Sequence, residues 1–271
     1  MDWFFLYDRQ PLKAAENMAR DQHLLELVES GAIHGAVLRI YQWARPTLSL
    51  GYHQKWERSI VPDALTRHGV DLVRRWTGGR AVLHINELTY SVIAPYREPF
   101  KKKVSHNYEV LAHPLKQFTE KLMLDARLAN KPNCVESPAG SARSSPCFAS
   151  LSEDEIQTGE KKLIGSSQKL SKGAFLQHGS VPLEDHAELL SELTGTDIDI
   201  SEYMETVGGL YRKAGWQLPE FNSLVKAMKD SFEEILGMTF MVRDLQQEFD
   251  IQRLSDLVTN QFSHHEWTFR F

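Results

Sequence analysis

The sequence predicts a mixed α/β (α+β) fold, in which a mixed β-sheet core is flanked by helices. Stretches with apolar residues at three- and four-residue spacing indicate helices, and short alternating or β-branched runs between them are typical of strands. With 271 residues, of which 42% are hydrophobic, the chain can bury a substantial core. No low-complexity linker or internal repeat divides it, so we expect one domain over residues 1–271, with helical additions in the C-terminal part, about 205–271.

The first predicted helix covers residues 12–30 and ends at Gly31, a residue type that commonly stops helices. Asp21 lies on its apolar stripe. A carboxylate on a buried face is either partnered or functional, and the hydrogen-bonded structural role is the more common. Five strand-like runs follow, over residues 36–41, 47–50, 70–75, 81–84 and 88–94.

A second helical pattern carries apolar residues at positions 108, 111, 115, 118 and 122 and contains Pro114, which we expect to kink or break it. Residues 130–150 are rich in Pro, Gly, Ser and Ala. They predict an extended loop of a length that compact domains seldom keep without a functional reason. Near the end of the chain, a helix over residues 224–236 is predicted to face inward with Met228, Phe232 and Ile235 and to stop at Gly237.

A β-hairpin is predicted around the loop 171–173, between strands over 163–168 and 174–178. If the two residues that flank this loop pair with each other, Ser166 faces His178 across the hairpin. Period-2 alternation then places five residues on one face: Lys162, Ile164, Ser166, Gln168 and His178. A slip of one residue would move His178 to the other face.

Composition and charge argue against several classes of function. The net charge of −5 disfavours general nucleic-acid binding, so acidic partners must be met by local basic patches. The start of the chain lacks a basic stretch followed by a long apolar one, and no later segment is long enough to span a bilayer, so we expect a cytoplasmic protein without membrane association. Cys134 and Cys147 are too few for a disulfide framework and are predicted to be free thiols.

Cys147 is the main candidate for chemistry. It ends a run of small and polar residues, and Lys162 opens the strand-like run that follows. The thiolate is the nucleophilic form of cysteine, and a nearby ammonium lowers the pKa of a thiol because it favours the charged form. Burial among apolar side chains would act in the opposite direction, and a cysteine is often only a small core residue. The loop and the lysine favour the reactive thiol.

The segment 74–84 has the sequence Arg-Arg-Trp-Thr-Gly-Gly-Arg-Ala-Val-Leu-His, which predicts a strand, a glycine turn and a second strand. Gly78 and Gly79 would let backbone amides approach an acyl or phosphoryl oxygen, and the arginines could anchor an anion. An ordinary tight hairpin would use the same glycine pair. The segment matches neither a phosphate-binding P-loop nor a dinucleotide fingerprint.

The histidines give a weaker signal. His84 and His178 are each more often satisfied structural histidines than bases. His264 and His265 are adjacent but have no cysteine or carboxylate at ligand spacing, so no metal site is predicted.

Taken together, these motifs resemble the biotin/lipoate protein ligase superfamily, and more narrowly its cysteine-dependent octanoyltransferases of lipoic-acid synthesis. The segments that carry the resemblance are 75–94, 146–148, 159–162, 165–168 and 177–180, with a fainter match at 266–270. A lipoate ligase of this fold usually has a third glycine where this chain has Arg80, and it has no need of Cys147; both differences favour the transferase. Trp76, where the family commonly has proline, and Asn86, in a pair where aspartate is frequent, depart from the pattern.

The resemblance implies ping-pong covalent catalysis. Cys147 would take octanoyl from the phosphopantetheine of octanoyl-acyl carrier protein, and a lysine of a lipoyl domain (glycine cleavage H protein or 2-oxoacid dehydrogenase E2) would receive it as an amide. Lys162 would hold the thiolate and then help to stabilise the oxyanion, together with backbone amides near the paired glycines or Gly165. No ATP, metal or other cofactor is implied, because the thioester is already activated.

The resemblance also implies a set of substrate-binding residues: Arg75, Gly78, Gly79, Arg80, His84, Gly165, Ser166, Gln168, His178 and Gly179. Acidic partner proteins are expected at Arg74, Arg75, Arg80, Lys161, Lys169 and Lys172. Three alternatives stay open: an ATP-dependent lipoate ligase, an amidotransferase that moves octanoyl between lipoyl proteins, and a non-catalytic acyl-binding or scaffold protein, against which Cys147 and Lys162 argue.

Overall fold

The computed structural model describes residues 1–129, 133–134, 150–151 and 155–271, with the backbone alone for 133–134 and 150–151. Its described part is a mixed α/β structure in which helices flank a mixed sheet, as predicted. None of the helices within these ranges is long and apolar enough to cross a membrane.

The larger sheet in the described residues has seven strands: β1 (Asp2–Tyr7), β2 (Gly35–Tyr41), β6 (Glu87–Pro95), β7 (Arg127–Leu128), β10 (Ile156–Thr158), β11 (Lys161–Leu170) and β12 (Ala174–Pro182). Their order across the sheet is β1-β2-β6-β12-β11-β10-β7. Strands β1 and β2 run parallel, and the other neighbours are antiparallel. The long central strands β6 and β12 are buried along nearly their whole length, because helices cover both faces.

A smaller sheet has the order β4-β3-β5, with β3 (Thr47–Leu50), β4 (Asp71–Arg74) and β5 (Val82–His84). Strand β3 therefore lies between β4 and β5, the two strands that Gly78 and Gly79 connect. The glycine pair does not form a tight hairpin, so the ordinary hairpin role does not account for it. A short two-stranded ladder joins β8 (Asn133–Cys134) to β9 (Ser150–Leu151).

The helices pack on the two faces of the large sheet and against the small sheet. They are α1 (Ala14–Ser30), α2 (Pro62–His68), α3 (Val104–Lys121), α4 (Ala187–Thr194), α5 (Val207–Ala214), α6 (Phe221–Leu236), α7 (Ile251–Leu257) and α8 (His265–Thr268). Helix α1 packs Leu24 and Val28 on one face, whereas α3 and α6 bury Phe118 and Phe232 on the other. Helices α2 and α4 pack against the small sheet.

Most predicted elements are confirmed to within two residues, but a break at Pro114 and an inward position of Ile235 are not found. Helix α3 runs through Pro114 without a break, because one missing backbone donor is tolerated where Leu111, Leu115 and Phe118 are buried on either side of it. Ile235 is 43% exposed at the last turn of α6, since the buried stripe of that helix passes through Ser231 instead.

The predicted register of the β11–β12 hairpin is wrong by one residue. Ser167 pairs with His178, and Ser166 pairs with Gly179. A side chain at Gly179 would meet the ring of Tyr90, with Cβ only 2.5 Å from Cε1, so the glycine must lie under that tyrosine. His178 consequently shares a face with Ser167 and points to the α1 side, away from Ser166.

Candidate active site

An open cavity with about 380 Å³ of empty space lies between the small sheet, α1 and the β11–β12 hairpin. It is lined by Met18, Tyr41, Trp43, Ser49, Arg75, Val82, His84, Thr89, Gly165, Ser166, Ser167, His178, Gly179 and Ser180. The accessible surface of its wall is mainly apolar, and polar side chains such as Ser166, Ser167 and His178 reach it from β11 and β12.

The cavity brings together part of the predicted substrate-binding set. Arg75, His84, Gly165, Ser166, His178 and Gly179 line it, whereas Gly78, Gly79, Arg80 and Gln168 do not. Gln168 instead donates through Nε2 to Gln177 Oε1 at 2.9 Å. The Ser166 hydroxyl is 2.7 Å from that of Tyr90, whose pKa burial raises to about 12, so the tyrosine is protonated at neutral pH.

Asp21 organises the α1 side of the cavity. Its Oδ1 accepts from Arg39 Nη1 at 2.6 Å and from the Ser91 hydroxyl at 2.9 Å, and its Oδ2 accepts from the Tyr41 hydroxyl at 3.2 Å. Arg39 is itself fully buried and donates through Nε to Asp8 at 2.8 Å. The structural, hydrogen-bonded role expected for Asp21 is therefore present.

Neighbouring groups determine the protonation state of the Asp21 carboxylate. Burial alone would raise the pKa of Asp21, but the positive charge of Arg39 and the hydrogen bond with His178 outweigh it and hold the pKa below its usual range. Asp21 is thus ionised at neutral pH. Burial also lowers the pKa of His178, against the opposing effect of Asp21, so the imidazole is neutral at pH 7.

His178 connects this carboxylate to the cavity wall through hydroxyl groups. Its Nδ1 is 3.3 Å from Asp21 Oδ2, and its Nε2 is 2.6 Å from Thr77 Oγ1. Thr77 Oγ1 is in turn 2.7 Å from Ser167 Oγ. Because Asp21 is ionised, Nδ1 carries the proton and donates to it, which leaves Nε2 as an acceptor for the Thr77 hydroxyl.

A second buried group surrounds His84. Its Nδ1 is 2.7 Å from Glu87 Oε1, and its Nε2 is 2.8 Å from Ser49 Oγ. Burial would raise the pKa of Glu87, but His84 and the hydroxyl groups of Ser180 and Thr89 that donate to it hold the pKa below its usual range. The carboxylate therefore keeps His84 in a fixed orientation.

Arg75 ties the glycine turn to β3. Its Nη1 donates to Ser49 O at 2.8 Å, and its Nη2 donates to Gly78 O at 2.8 Å and to Arg80 O at 2.7 Å. Gly79 has φ 87°, a left-handed conformation that suits glycine. A Cβ at Gly51, which follows β3, would lie 1.9 Å from Gly79 O, so the turn packs directly on that backbone.

The expectation that Arg74 and Arg75 receive acidic partner proteins is wrong. Both are buried, and Arg74 donates to backbone carbonyls that include Gly51 O at 2.7 Å and Thr268 O at 3.0 Å. Their guanidinium groups donate hydrogen bonds to backbone carbonyls inside the protein and do not face a partner protein. Lys172 is exposed, and Lys169 lies over the Tyr52 ring at 5.2 Å, on the outer side of this region.

Lys162 lies near the start of β11, and its side chain is buried. Its Nζ is 2.6 Å from Glu155 Oε1, and both side chains are at most 4% exposed. Backbone hydrogen bonds to Tyr203 O and from Glu205 N fix its position in the strand. Cys147 lies outside the described residues, so its approach to this ammonium stays a prediction.

Several residues of the site are not among the predicted site residues. Thr77, Glu87 and Ser167 lie within the segments that carry the family resemblance, and Ser49 lies in a predicted strand, but their residue types are too common to identify them individually. Trp43, whose ring stacks on His84 with centroids 4.1 Å apart, was also missed. Within the described residues, no group of three or more His, Cys, Asp or Glu side chains could hold a metal ion.

Residues 13–208 match the family described as the lipoyl protein ligase A/B catalytic domain. A protein named octanoyltransferase LipM from Geobacillus kaustophilus (strain HTA426) is 43% identical over 194 residues, covering 70% of this chain and 69% of the relative. Another protein of that name, from Lysinibacillus sphaericus (strain C3-41), is 33% identical over 282 residues, covering 99% of both.

Solved structures resemble the chain over almost its whole length. Lipoate-protein ligase A bound with ATP has a TM-score of 0.77 at 20% identity, covering 99% of each chain. A bi-partite lipoate protein ligase from Thermoplasma acidophilum, described with its E2 lipoyl domain, has a TM-score of 0.76 at 19% identity, covering 99% of this chain and 96% of that one. At these identities the likeness shows the fold alone.

Proposed function

Because the chain belongs to the lipoyl protein ligase A/B catalytic-domain family, we propose that it is an octanoyltransferase of lipoate biosynthesis that acts on lipoyl domain proteins. The observation that carries this proposal is the relative named octanoyltransferase, which is 33% identical and is covered over 99% of both chains. The mainly apolar cavity between the two sheets supports it, because an acyl chain needs such a slot.

We further propose that the reaction passes through a thioester on Cys147. The Cys147 thiolate attacks the thioester carbonyl of octanoyl-acyl carrier protein, the C–S bond to the pantetheine breaks, and the carrier thiol leaves. The ε-amine of a lipoyl-domain lysine, in glycine cleavage H protein or an E2 component, then attacks the new thioester. An amide forms and the Cys147 thiolate is released, while the amine proton passes to the protein or the solvent. One difficult acyl transfer is thereby divided into two easier steps.

The proposed role of Lys162 agrees with its surroundings. A buried ammonium stays charged only where a counterion offsets the cost of desolvation, and Glu155 supplies one at 2.6 Å. The charge would favour the thiolate of Cys147 and then the oxyanion of each tetrahedral intermediate. Backbone amides at Gly165, which lines the cavity, are the further donors that we propose.

An ATP-dependent lipoate ligase is the first alternative, since solved ligases share the fold. Arg80 favours the transferase over this alternative, because the resemblance places a third glycine there in ligases. An amidotransferase that moves octanoyl between lipoyl proteins would use the same cysteine and differs only in its donor.

A donor comparison decides between these functions. The purified protein and a lipoyl domain are incubated with octanoyl-acyl carrier protein alone, with free octanoate plus ATP and magnesium, or with a second, octanoylated lipoyl domain. We expect transfer in the first mixture without nucleotide or metal, and none with Cys147→Ala. Transfer only in the second mixture would make the protein a ligase, and transfer only in the third would make it an amidotransferase.

A further inference from the structure

We propose that Ser167 accepts the proton of the incoming lysine and that Thr77 and His178 carry it into the protein, with Asp21 orienting the imidazole. This inference rests on the proposed octanoyl transfer, whose second step must remove a proton from the attacking amine. In this arrangement Ser167 contacts the substrate, whereas Thr77, His178 and Asp21 are positioning residues that act through it.

The path is continuous from solvent-accessible wall to buried carboxylate. Ser167 lines the cavity, and its Oγ lies 2.7 Å from Thr77 Oγ1, which lies 2.6 Å from His178 Nε2. Thr77 itself is fully buried, so its hydroxyl has no solvent to bond. A hydroxyl that joins a buried imidazole to a cavity-lining hydroxyl can pass a proton in either direction.

The direction of each hydrogen bond along this path is determined by the ionised Asp21. His178 Nδ1–H donates to Asp21, so Nε2 accepts from Thr77 O–H, and Thr77 Oγ1 then accepts from Ser167 O–H. This leaves the lone pairs of Ser167 Oγ directed to the cavity as an acceptor for an N–H group. Arg39 keeps Asp21 ionised and so fixes the tautomer on which this direction depends.

The proton balance of the step is complete. The lysine ammonium first loses one proton to solvent; as its C–N bond to the acyl carbon forms, a second N–H proton passes to Ser167, the serine proton to Thr77, and the threonine proton to His178 Nε2. The C–S bond breaks to give the amide and the Cys147 thiolate. His178 returns the proton by the reverse path to the solvent or the thiolate, so the histidine starts each turnover neutral.

The groups that face His178 suit a transient proton acceptor. Asp21 from α1 stabilises the imidazolium, whereas burial and the charges of Arg75 and His84 disfavour it, so the pKa of His178 lies below its usual range. The histidine is therefore neutral at pH 7 and releases the proton readily. When His178 takes up a proton, the ionised Asp21 beside it stabilises the imidazolium, and this suits the histidine to act as a general base.

The test separates the two half-reactions. The enzyme is acylated with octanoyl carrier protein, freed of donor, and mixed with a lipoyl domain in a quenched-flow instrument between pH 5.5 and 8.5. Thr77→Val removes the hydroxyl with little change in shape, Thr77→Ser keeps it, and Thr119→Val makes the same change at a buried helix position on the opposite side of the sheet.

We expect Thr77→Val to slow amide formation about 10²-fold or more, the range of general base catalysis. Deprotonation of the substrate lysine makes the rate fall with pH in every variant, and we expect Thr77→Val to abolish only the additional fall at low pH that titration of His178 causes. Thr77→Ser and Thr119→Val should keep the wild-type pH profile. An unchanged rate and profile in Thr77→Val, or an equal loss in Thr77→Ser, would overturn the relay. If Thr77→Val does not fold, Ser167→Ala is measured in its place, with the same expected result. Wild-type enzyme that forms no acyl-enzyme would instead overturn the proposed function.

Discussion

The buried Arg39 allows a sharp test of what holds the α1 side of the site together. Its guanidinium is fully buried and bonds Asp8 at 2.8 Å, Asp21 at 2.6 Å and Asn17 Oδ1 at 2.7 Å. Arg39→Leu would leave two buried carboxylates without this charge. Removing one partner of a buried ion pair costs about 3–5 kcal/mol, and we expect a loss in the unfolding free energy of at least that size at pH 7.

The loss should depend on pH in a defined direction. In the wild type the folded pKa of Asp21 is below its unfolded value, so this stabilisation is present above the unfolded pKa and is lost as the pH falls through the folded one. Without Arg39, burial dominates and raises the folded pKa, so the variant gains stability relative to the wild type as the pH falls. The difference between them is therefore largest at neutral pH and shrinks toward pH 4.

Chemical denaturation at pH 7.5, 6 and 5 measures this difference, and thermal scans should show a fall in Tm of roughly 6–20 °C on the scaling for domains of ~150–250 residues. Arg253→Leu is the matched control, because its pair with Glu26 is accessible to solvent, with side chains 43% and 34% exposed, and surface pairs contribute about 0–1 kcal/mol. A loss for Arg39→Leu that is no larger than the control, or that does not change with pH, would refute the reasoning.

Two further changes probe the site's backbone and its buried lysine. Gly179→Ala would bring Cβ to 2.5 Å from the Tyr90 ring and 2.7 Å from a backbone oxygen, so we expect the unfolding free energy to fall by about 1–3 kcal/mol, the effect of overpacking a rigid site. Glu155→Gln removes the carboxylate 2.6 Å from Lys162 Nζ and should lower both Tm and the rate at which iodoacetamide alkylates Cys147 at pH 7, because the loss of this negative charge disfavours the charged form of the lysine. Denaturant titration checks the first, and a thermal scan with an alkylation time course checks the second.

Each of these two predictions has a result that would contradict it. A Gly179→Ala variant as stable as wild type would mean that the tyrosine ring yields, which the packing around it argues against. For the ion pair, Glu160→Gln is the control, since Glu160 pairs with Arg127 at the surface. Equal effects of Glu155→Gln and Glu160→Gln would show that burial of the pair has no role.

The elements of the fold were predictable because their signals are local. Apolar spacing and a terminal glycine place α1 and α6, and β-branched runs place β2, β3 and β6. The order of the small sheet and the register of the β11–β12 hairpin could not be predicted, since both depend on contacts between distant segments. In the hairpin, the Tyr90 ring over Gly179 decides the register, and no pattern within the hairpin encodes it.

The candidate site shows the same division. Family motifs pointed to the glycine turn and to His84 and His178, and the family match confirms the resemblance itself. The path through Thr77 and Ser167 needs a residue from the turn, one from β11 and one from β12, so only the three-dimensional structure brings it together. Asp21 could be found in the sequence, because a carboxylate on an apolar helical stripe requires a buried partner. The functional roles of these residues stay predictions.

The proposed mechanism requires a covalent acyl group on Cys147. Intact mass spectrometry after mixing with octanoyl-acyl carrier protein, followed by peptide mapping without reductant, measures it. We predict one octanoyl adduct on the peptide that contains Cys147, kept in Cys134→Ala and lost in Cys147→Ala. No adduct while octanoyl still reaches the lipoyl domain, or an adduct on Cys134, would contradict the mechanism.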